Sequence, residues 1–201
     1  MKNQPITICL FFILSITGCQ TGPKITHESP MNDSYVSGRW NDSDARKVAE
    51  EMITDCLDRP WLYNFIKKNG GNNPSVIVGH IKNQTSEHID VNTFIGSIQR
   101  ALINSGKVNF VASQHERKEI RHERKDQARN ASESTQKGPG EETGADYMLK
   151  GIITSIRDQS GGTSLLYYQI DIKLISMANN QIVWVGEKKL RRKIERSKWS
   201  L

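Results

Sequence analysis

Histidine–glutamate pairs are the part of this sequence closest to a catalytic or metal-binding motif. His115-Glu116 and His122-Glu123 combine residue types that bind zinc and activate a water molecule in metalloproteases. The His-Glu-x-x-His pattern is absent from the sequence, and a step of seven residues does not bring the two histidines together with a third ligand. We therefore predict no metal site and no cofactor.

Two further histidines have structural interpretations. His80 follows Gly79 within an apolar stretch, which favours a hydrogen-bonded core histidine over a catalytic base. His88 stands beside Glu87 and Asp90, where it is expected to cap a helix. The sequence contains neither a Gly-x-Ser-x-Gly nucleophile motif nor a glycine-rich phosphate-binding loop. Spacing alone brings no serine, histidine and aspartate together, so the sequence indicates a binding module rather than an enzyme.

The first cysteines indicate a lipid modification. Residues 6–16 form an apolar run that is too short to span a bilayer as a helix but fits the core of a signal peptide. The run leads into Ile16-Thr17-Gly18-Cys19, a pattern typical of the bacterial lipobox, where cleavage precedes the cysteine and the thiol receives a diacylglycerol. An ordinary secretory signal with an incidental cysteine is the alternative. We predict a signal peptide over residues 1–18 and lipidation of Cys19.

The residues around Cys19 also predict the location of the protein. Aspartate after a lipidated cysteine tends to retain lipoproteins in the inner membrane of diderm bacteria, and here that residue is Gln20. Several acyl chains on one cysteine make a stable membrane anchor. Residues 19–34 contain Gly22 and Pro23 and no apolar period, so they are predicted to form the lipidated cysteine and a flexible tether. We therefore expect a lipid-anchored protein on the periplasmic face of the outer membrane.

The positive charge of the chain is concentrated at its C-terminal end. The formal net charge is +6, and residues 187–198 contain seven basic and two acidic residues. A nucleic-acid binder carries its basic residues across a whole binding face, so we predict no nucleic-acid partner. Lys189, Arg191 and Lys193 alternate with other residues, which is typical of a protected strand at a sheet edge. Contact with an acidic partner or an anionic polymer is the alternative.

Apolar periodicity predicts three amphipathic helices before residue 106. The first begins near N-cap candidates at residues 41–44 and carries Cys56 on its buried stripe, so Cys56 is expected to be a core thiol rather than a nucleophile. A second helix begins at Pro60, and a third ends before Gly106. The apolar positions of the first and third helices are Ala45, Val48, Ala49, Met52, Ile53 and Cys56, and Val91, Phe94, Ile95, Ile98 and Leu102.

The remaining apolar stretches predict five strands. Residues 75–81 and 108–112 flank the third helix, so they are expected to pair in parallel through a right-handed crossover. After residue 144 the pattern changes to period two, and residues 147–156, 166–175 and 182–194 predict an antiparallel meander. The resulting order ααβαβαβββ predicts an α/β (α+β) sandwich, a mixed β-sheet flanked by helices, over residues 35–201.

Residues 113–140 differ from the rest because they contain a single large apolar residue, Ile120. A helix that is polar on all sides either faces solvent or is marginal on its own. Four basic residues at steps of four would form one positive row on such a helix, and we predict that this row binds a protein partner. A solvated helix whose charges do nothing specific is the alternative. The row comprises Arg117, Arg121, Lys125 and Arg129.

Short stretches with the order and spacing of one family occur along most of the chain. They are residues 35–44 (YVSGRWNDSD), 76–79 (VIVG), Asn83, 85–90 (TSEHID), 101–108 (ALINSGKV), 117–121 (RKEIR), 144–149 (GADYML) and 182–184 (IVW). Through these stretches, residues 35–197 resemble the LpoB-type lipoprotein activators of class A penicillin-binding proteins.

This resemblance implies an outer-membrane-anchored protein that reaches toward the peptidoglycan, binds a regulatory domain of a bifunctional synthase, and stimulates glycan polymerisation and crosslinking. It also implies a globular part similar to the amino-terminal domain of TolB, with Cys19 as the lipid site. The family is known for long, proline-rich tethers, whereas residues 20–34 supply fifteen residues here. The alternative function is that of a structural or assembly lipoprotein of an outer-membrane secretion complex, because TolB-like domains also occur there.

Overall fold

The computed structural model describes residues 38–160 and 163–195, and its elements follow the predicted order ααβαβαβββ. The helices are α1 (Asp42–Leu57), α2 (Pro60–Lys68), α3 (Val91–Asn104) and α4 (Gln114–Asn130). The strands are β1 (Ser75–Gln84), β2 (Asn109–Phe110), β3 (Tyr147–Ser160), β4 (Thr163–Ser176) and β5 (Ile182–Glu195). Within these two ranges no helix combines the length and the apolar character needed to cross a membrane. The predicted signal peptide, Cys19 and the tether lie outside the described residues.

The described strands form one mixed sheet in the order β2-β1-β3-β4-β5. β1 pairs in parallel with β2 and β3, whereas β4 pairs antiparallel with β3 and β5, so the predicted parallel pair and the predicted meander are both confirmed. β2 is shorter than the predicted strand over residues 108–112, because the chain turns away at Ala112 toward the N-cap of α4 at Ser113. β5 lies at the edge of the sheet, where its alternating lysines are expected.

Helices cover one face of the sheet, and among the described residues the other face carries exposed side chains. α1 and α3 contact each other, and they contact β5 and β1 respectively. The side chains of β4 that face these helices are each at most 1% exposed, which confirms the period-two prediction: they are Leu166, Tyr168, Ile170, Ile172 and Leu174. On the opposite face, Ile156 and Val185 are each 66% exposed. The fold is therefore an α+β sandwich of two layers.

α1 is the helix that contributes most to the core. It begins with a capping box, in which Asn41 Oδ1 accepts a hydrogen bond from the Asp44 N–H at 3.0 Å and the Asp44 carboxylate accepts one from the Asn41 N–H at 3.3 Å. Nine of its sixteen residues are buried. Cys56 is 1% exposed, and burial raises the pKa of its thiol to about 12. The prediction of a core thiol is confirmed, because such a thiol stays protonated at neutral pH.

Polar contacts tie α1 to the edge strand β5. Trp184 Nε1 donates a hydrogen bond to Asp55 Oδ2 at 2.9 Å, and two basic residues of β5 form ion pairs with acidic residues of α1. These ion pairs are Lys188–Glu51 and Arg192–Asp44. The basic end of the chain therefore has two roles: alternate residues face α1, while Lys189, Arg191 and Lys193 are exposed.

Candidate functional site

α4 is a complete helix that contributes nothing to the core. All of its seventeen residues are exposed or half-buried, and Ile120 is 41% exposed. The helix begins with a capping box, in which the Ser113 hydroxyl accepts from the Glu116 N–H at 3.3 Å and the Glu116 carboxylate accepts from the Ser113 N–H at 2.6 Å. These bonds hold the pKa of the Glu116 carboxyl below its usual range. Capping and local hydrogen bonds, rather than packing, therefore define this helix.

Three arginines of α4 converge on Glu142, which lies between α4 and β3. The Arg121 guanidinium holds both carboxylate oxygens, with Nε 2.7 Å from Oε1 and Nη2 2.9 Å from Oε2. Arg117 Nε lies 3.8 Å from Oε2, and Arg124 Nη1 lies 3.7 Å from Oε1. Arg117 Nη1 also donates to the carbonyl oxygen of Ala112 at 3.0 Å. We name Arg117, Arg121, Arg124 and Glu142 the arginine cluster.

The arginine cluster carries more positive charge than one carboxylate balances. The hydrogen bonds from Arg121 and the charges of Arg121, Arg124 and Arg117 hold the pKa of Glu142 below its usual range. Three guanidinium groups against one carboxylate leave a net charge of +2. Arg117 Nε and Arg124 Nη1 are buried nitrogens without a hydrogen-bond partner among the described residues. The cluster therefore has two N–H donors without an acceptor and two positive charges that no carboxylate of the cluster balances.

A cavity of about 300 Å³ lies next to the arginine cluster. Its walls come from β2 and the segment after it, from α4, and from the chain at Glu142 and Thr143. Phe110, Val111 and Ile120 are its large apolar lining residues, and Arg117 and Arg124 line it as well. The cavity therefore combines an apolar wall with convergent positive charge, which is the arrangement expected of a site for an anionic group.

The structure divides the predicted basic row in two. Arg117 and Arg121 belong to the arginine cluster, whereas Lys125 and Arg129 are exposed further along α4 and belong to no ion pair within residues 38–160 and 163–195. Steps of four residues advance about 40° beyond a full turn, so a row built on them drifts around the helix. Arg124 joins the cluster because positions i, i+4 and i+7 stay on one face. That spacing is present in the sequence and would have identified Arg124. Binding of a partner by the row of Arg117, Arg121, Lys125 and Arg129 stays a prediction.

A second polar cluster joins three distant parts of the chain at Glu87. Its carboxylate accepts hydrogen bonds from the Tyr168 hydroxyl and, at 3.0 Å, from Arg157 Nη2. Tyr168 in turn accepts a hydrogen bond from the Trp40 N–H at 3.0 Å, and burial and Glu87 raise the pKa of Tyr168. The Trp40 ring makes edge contacts with Tyr168 and Phe94, each with centroids 5.8 Å apart. Glu87 therefore fixes the β1–α3 loop and the start of the domain to the β3–β4 pair.

The loop that carries Glu87 is held in shape by its own polar groups. Asn83 Oδ1 accepts hydrogen bonds from the Thr85 N–H at 2.9 Å and from the Thr85 hydroxyl at 2.8 Å. Asn83 Nδ2 donates to the Glu87 carbonyl oxygen at 2.8 Å. This loop was not predicted as a site, because its partners lie 70 and 81 residues away and leave no local pattern.

The structure changes the interpretation of two histidines. The prediction that His80 lies in the core is wrong: it is exposed on β1, because the register against β3 shifts between Val78 and Ile81 and turns its side chain outward. The prediction that His88 caps a helix is also wrong. Asp90 is the N-cap of α3, and its carboxylate accepts a backbone hydrogen bond from the first turn at 2.9 Å.

His115 and His122, the pairs closest to a metal motif, are both exposed on α4. Within residues 38–160 and 163–195, no group of three or more histidine, cysteine, aspartate or glutamate side chains is placed to hold a metal ion. The geometry of α4 thus offers charged groups for recognition of a ligand or a partner.

Comparison with known proteins gives a family and a set of similar folds. The model of a family described as "Peptidoglycan-synthase activator LpoB" matches residues 44–190. No individual curated protein matches the sequence. The LpoB C-terminal domain from Salmonella enterica is 17% identical, with 76% of this chain and 99% of that chain covered and a TM-score of 0.42.

Two further solved structures show similar values. The NMR structure of LpoB from Escherichia coli is 17% identical, covers 96% of this chain and 89% of its own, and gives a TM-score of 0.40. The lipoprotein GNA1162 from Neisseria meningitidis is 14% identical, covers 62% of this chain and 87% of its own, and gives a TM-score of 0.38. The family model spans most of the chain, and on that match this protein belongs to the LpoB family of peptidoglycan-synthase activators.

Proposed function

We propose that this protein is a non-enzymatic activator of a class A penicillin-binding protein, which it binds at the periplasmic face of the outer membrane. Binding stimulates glycan polymerisation by the synthase and, with it, crosslinking. The observation that carries this proposal is the match of residues 44–190 to a family described as activators of peptidoglycan synthases. An activator without an active site acts by population shift: it binds an active conformer of the synthase more tightly than the inactive one.

The placement of the titratable groups supports a role without catalysis. Burial raises the pKa of both Cys56 and Tyr168, and both side chains lie in the core. The ionisable groups of α4 lie at the surface instead, where three arginines share one carboxylate. The charged groups of α4 are therefore placed at the surface, where a partner can contact them.

The anchor is the second part of the proposal. Lipidated Cys19 holds the protein in the outer membrane, and residues 20–34 connect it to the globular part. Fifteen residues extend to about 50 Å at most. The near end of the globular part must therefore stay within that distance of the outer membrane while it binds the synthase.

The proposal is tested with the detergent-solubilised, lipidated protein and the class A synthases encoded in the same genome. We expect the initial rate of glycan chain synthesis from lipid-linked precursor to rise several-fold with at least one synthase. The protein alone is expected to give no glycan product and no peptidoglycan hydrolysis. If none of these synthases is stimulated, or if the protein alone releases fragments from peptidoglycan, the proposed function is wrong.

A further inference from the structure

We propose that the arginine cluster of α4 binds a carboxylate from an acidic segment of a protein partner, and that Glu142 occupies part of this site in the free protein. The inference rests on the proposed function, because a synthase activator has a protein as its partner. It adds the chemistry by which that partner is recognised, and it assigns Arg124 and Glu142 to the binding site.

The arginine cluster has more hydrogen-bond donors than its one carboxylate satisfies. Arg121 alone takes both oxygens of Glu142 in a fork, with N–O distances of 2.7 and 2.9 Å. The buried nitrogens Arg117 Nε and Arg124 Nη1 lie 3.8 and 3.7 Å from the same carboxylate and have no hydrogen-bond partner among the described residues. A buried donor without an acceptor costs free energy, so an additional acceptor at this position is stabilising. A second carboxylate supplies oxygens for both donors.

The shape of the site also fits an acidic side chain. The cavity of about 300 Å³ lies against Arg117 and Arg124 and has Phe110, Val111 and Ile120 on its apolar side. Apolar walls exclude water, and charge-assisted hydrogen bonds are stronger where water is excluded. An aspartate or glutamate side chain presents a carboxylate to the guanidiniums and methylene groups to the apolar wall.

The stability of the core does not explain the arginines of α4. No residue of α4 is buried, and its capping box forms the helix locally. The exposed Lys125 and Arg129 extend the positive surface beyond the cluster, which steers an acidic segment toward it. Arg121 already holds the Glu142 carboxylate in a bidentate fork, and an acidic segment of a protein partner supplies the same group.

The probe for this site is an acetylated and amidated hexapeptide of alternating glutamate and glycine, with the matching glutamine peptide as the blank. Binding is followed through the arginine Nε–Hε signals in NMR spectra of the mature protein. We expect Glu142→Gln to bind the acidic peptide about tenfold more tightly than the native protein, since the internal competitor is gone. Glu141→Gln removes the same charge one residue away and is expected to bind as the native protein does.

A second pair of variants tests a donor of the cluster, Arg124, against a neighbouring control. Arg124→Gln is expected to lower the affinity for the peptide at least threefold, whereas Lys125→Gln, its neighbour outside the cluster, changes it less than twofold. Far-UV circular dichroism reports whether α4 stays folded in each variant. If Glu142→Gln unfolds α4, the Arg124→Gln and Lys125→Gln pair decides the question.

Three results would overturn the proposal. In the first, the native protein and a folded Glu142→Gln variant bind the peptide with equal affinity. In the second, Arg124→Gln and Lys125→Gln change the affinity equally. In the third, inorganic phosphate binds as tightly as the acidic peptide. Failure here is distinguishable from failure of the proposed function. Synthase stimulation without peptide binding removes only this inference, whereas peptide binding without synthase stimulation removes only the proposed function.

Discussion

α1 and α4 begin with the same kind of capping box and then differ in almost everything else. In α1 the box is Asn41 with Asp44, and nine residues of the helix are buried. In α4 it is Ser113 with Glu116, and no residue is buried. The same local hydrogen bonds start a helix in both cases, and the apolar pattern decides whether that helix becomes part of the core. α4 is therefore a helix kept at the surface, which is where a partner can reach it.

The ion pairs of the two helices differ in the same way. Asp44 of α1 pairs with Arg192 and its side chain is 3% exposed, so burial raises the pKa of its carboxyl although Arg192 acts against this. Glu142 pairs with Arg121 and its side chain is 26% exposed, and there the arginine lowers the carboxyl pKa. Desolvation therefore has the largest effect on the carboxyl pKa beside α1, whereas hydrogen bonding and charge have the largest effect on the carboxyl pKa beside α4.

The largest expected difference between the two helices is in the free energy of unfolding when one isoleucine of each is replaced by alanine. Ile53 of α1 is 1% exposed, and Ile53→Ala is expected to lower the free energy of unfolding by about 2–5 kcal/mol. Ile120 of α4 is 41% exposed, and Ile120→Ala is expected to change it by less than about 0.5 kcal/mol. Urea unfolding followed by circular dichroism measures both. Similar losses in the two variants would show that α4 belongs to the core, against the description given above.

Charge reversal on α4 tests its availability for a partner. The double variant Arg121→Glu and Lys125→Glu is expected to weaken synthase binding by about 2 kcal/mol, because it removes a cluster arginine and adds repulsion. The melting temperature is expected to stay nearly unchanged, since no residue of α4 is buried. Lys67→Glu with Lys68→Glu makes the same charge change on α2 and serves as the control. If both doubles bind the synthase equally well, the interface lies elsewhere, with the basic strand β5 the next place to test.

Removing the N-cap side chain is expected to have different consequences in α1 and in α4. Asn41→Ala and Ser113→Ala each remove a side-chain acceptor worth about 1 kcal/mol. In α1 this loss is expected to lower the stability of the whole domain, because the helix unfolds only with the core. In α4 only the amides of the first turns should exchange faster, with global stability unchanged. Native-state hydrogen exchange distinguishes the two, and a global loss in Ser113→Ala would contradict the comparison.

The smallest expected effects are those of pH on stability, and they have opposite signs for Glu142 and Asp44. The folded-state pKa of Glu142 is lowered, so its contribution to stability is present above the usual glutamate pKa of about 4.3 and is lost as pH falls through the folded value. The folded-state pKa of Asp44 is raised, so stability declines as pH rises from its unfolded value through the folded one. Carboxyl NMR titration should place Glu142 below and Asp44 above the ordinary values. Midpoints in the reverse order would refute this assignment of causes.

The order of elements was predictable because it rests on local periodicity. Apolar spacing identified α1 and α3, and alternation identified β3, β4 and β5, although these strands extend to Ser160, Thr163 and Glu195. His80 was misplaced because a register shift between paired strands leaves no trace in one strand's own sequence. Arg124 could have been found from its helical spacing, but its partner Glu142 leaves no local pattern. Glu142 lies 21 residues from Arg121, and only the folded chain brings them together.

The contacts of Trp40 have a mechanical consequence for the proposed lipid anchor. A pull on the chain before Gly38 would be opposed by the hydrogen bond from the Trp40 N–H to the Tyr168 hydroxyl. The ring contacts of Trp40 with Tyr168 and Phe94, which are both fully buried, would oppose it as well. Tension from the anchor would therefore act on the buried core at Tyr168 and Phe94, whereas α4 has no buried residue and takes no part in these contacts.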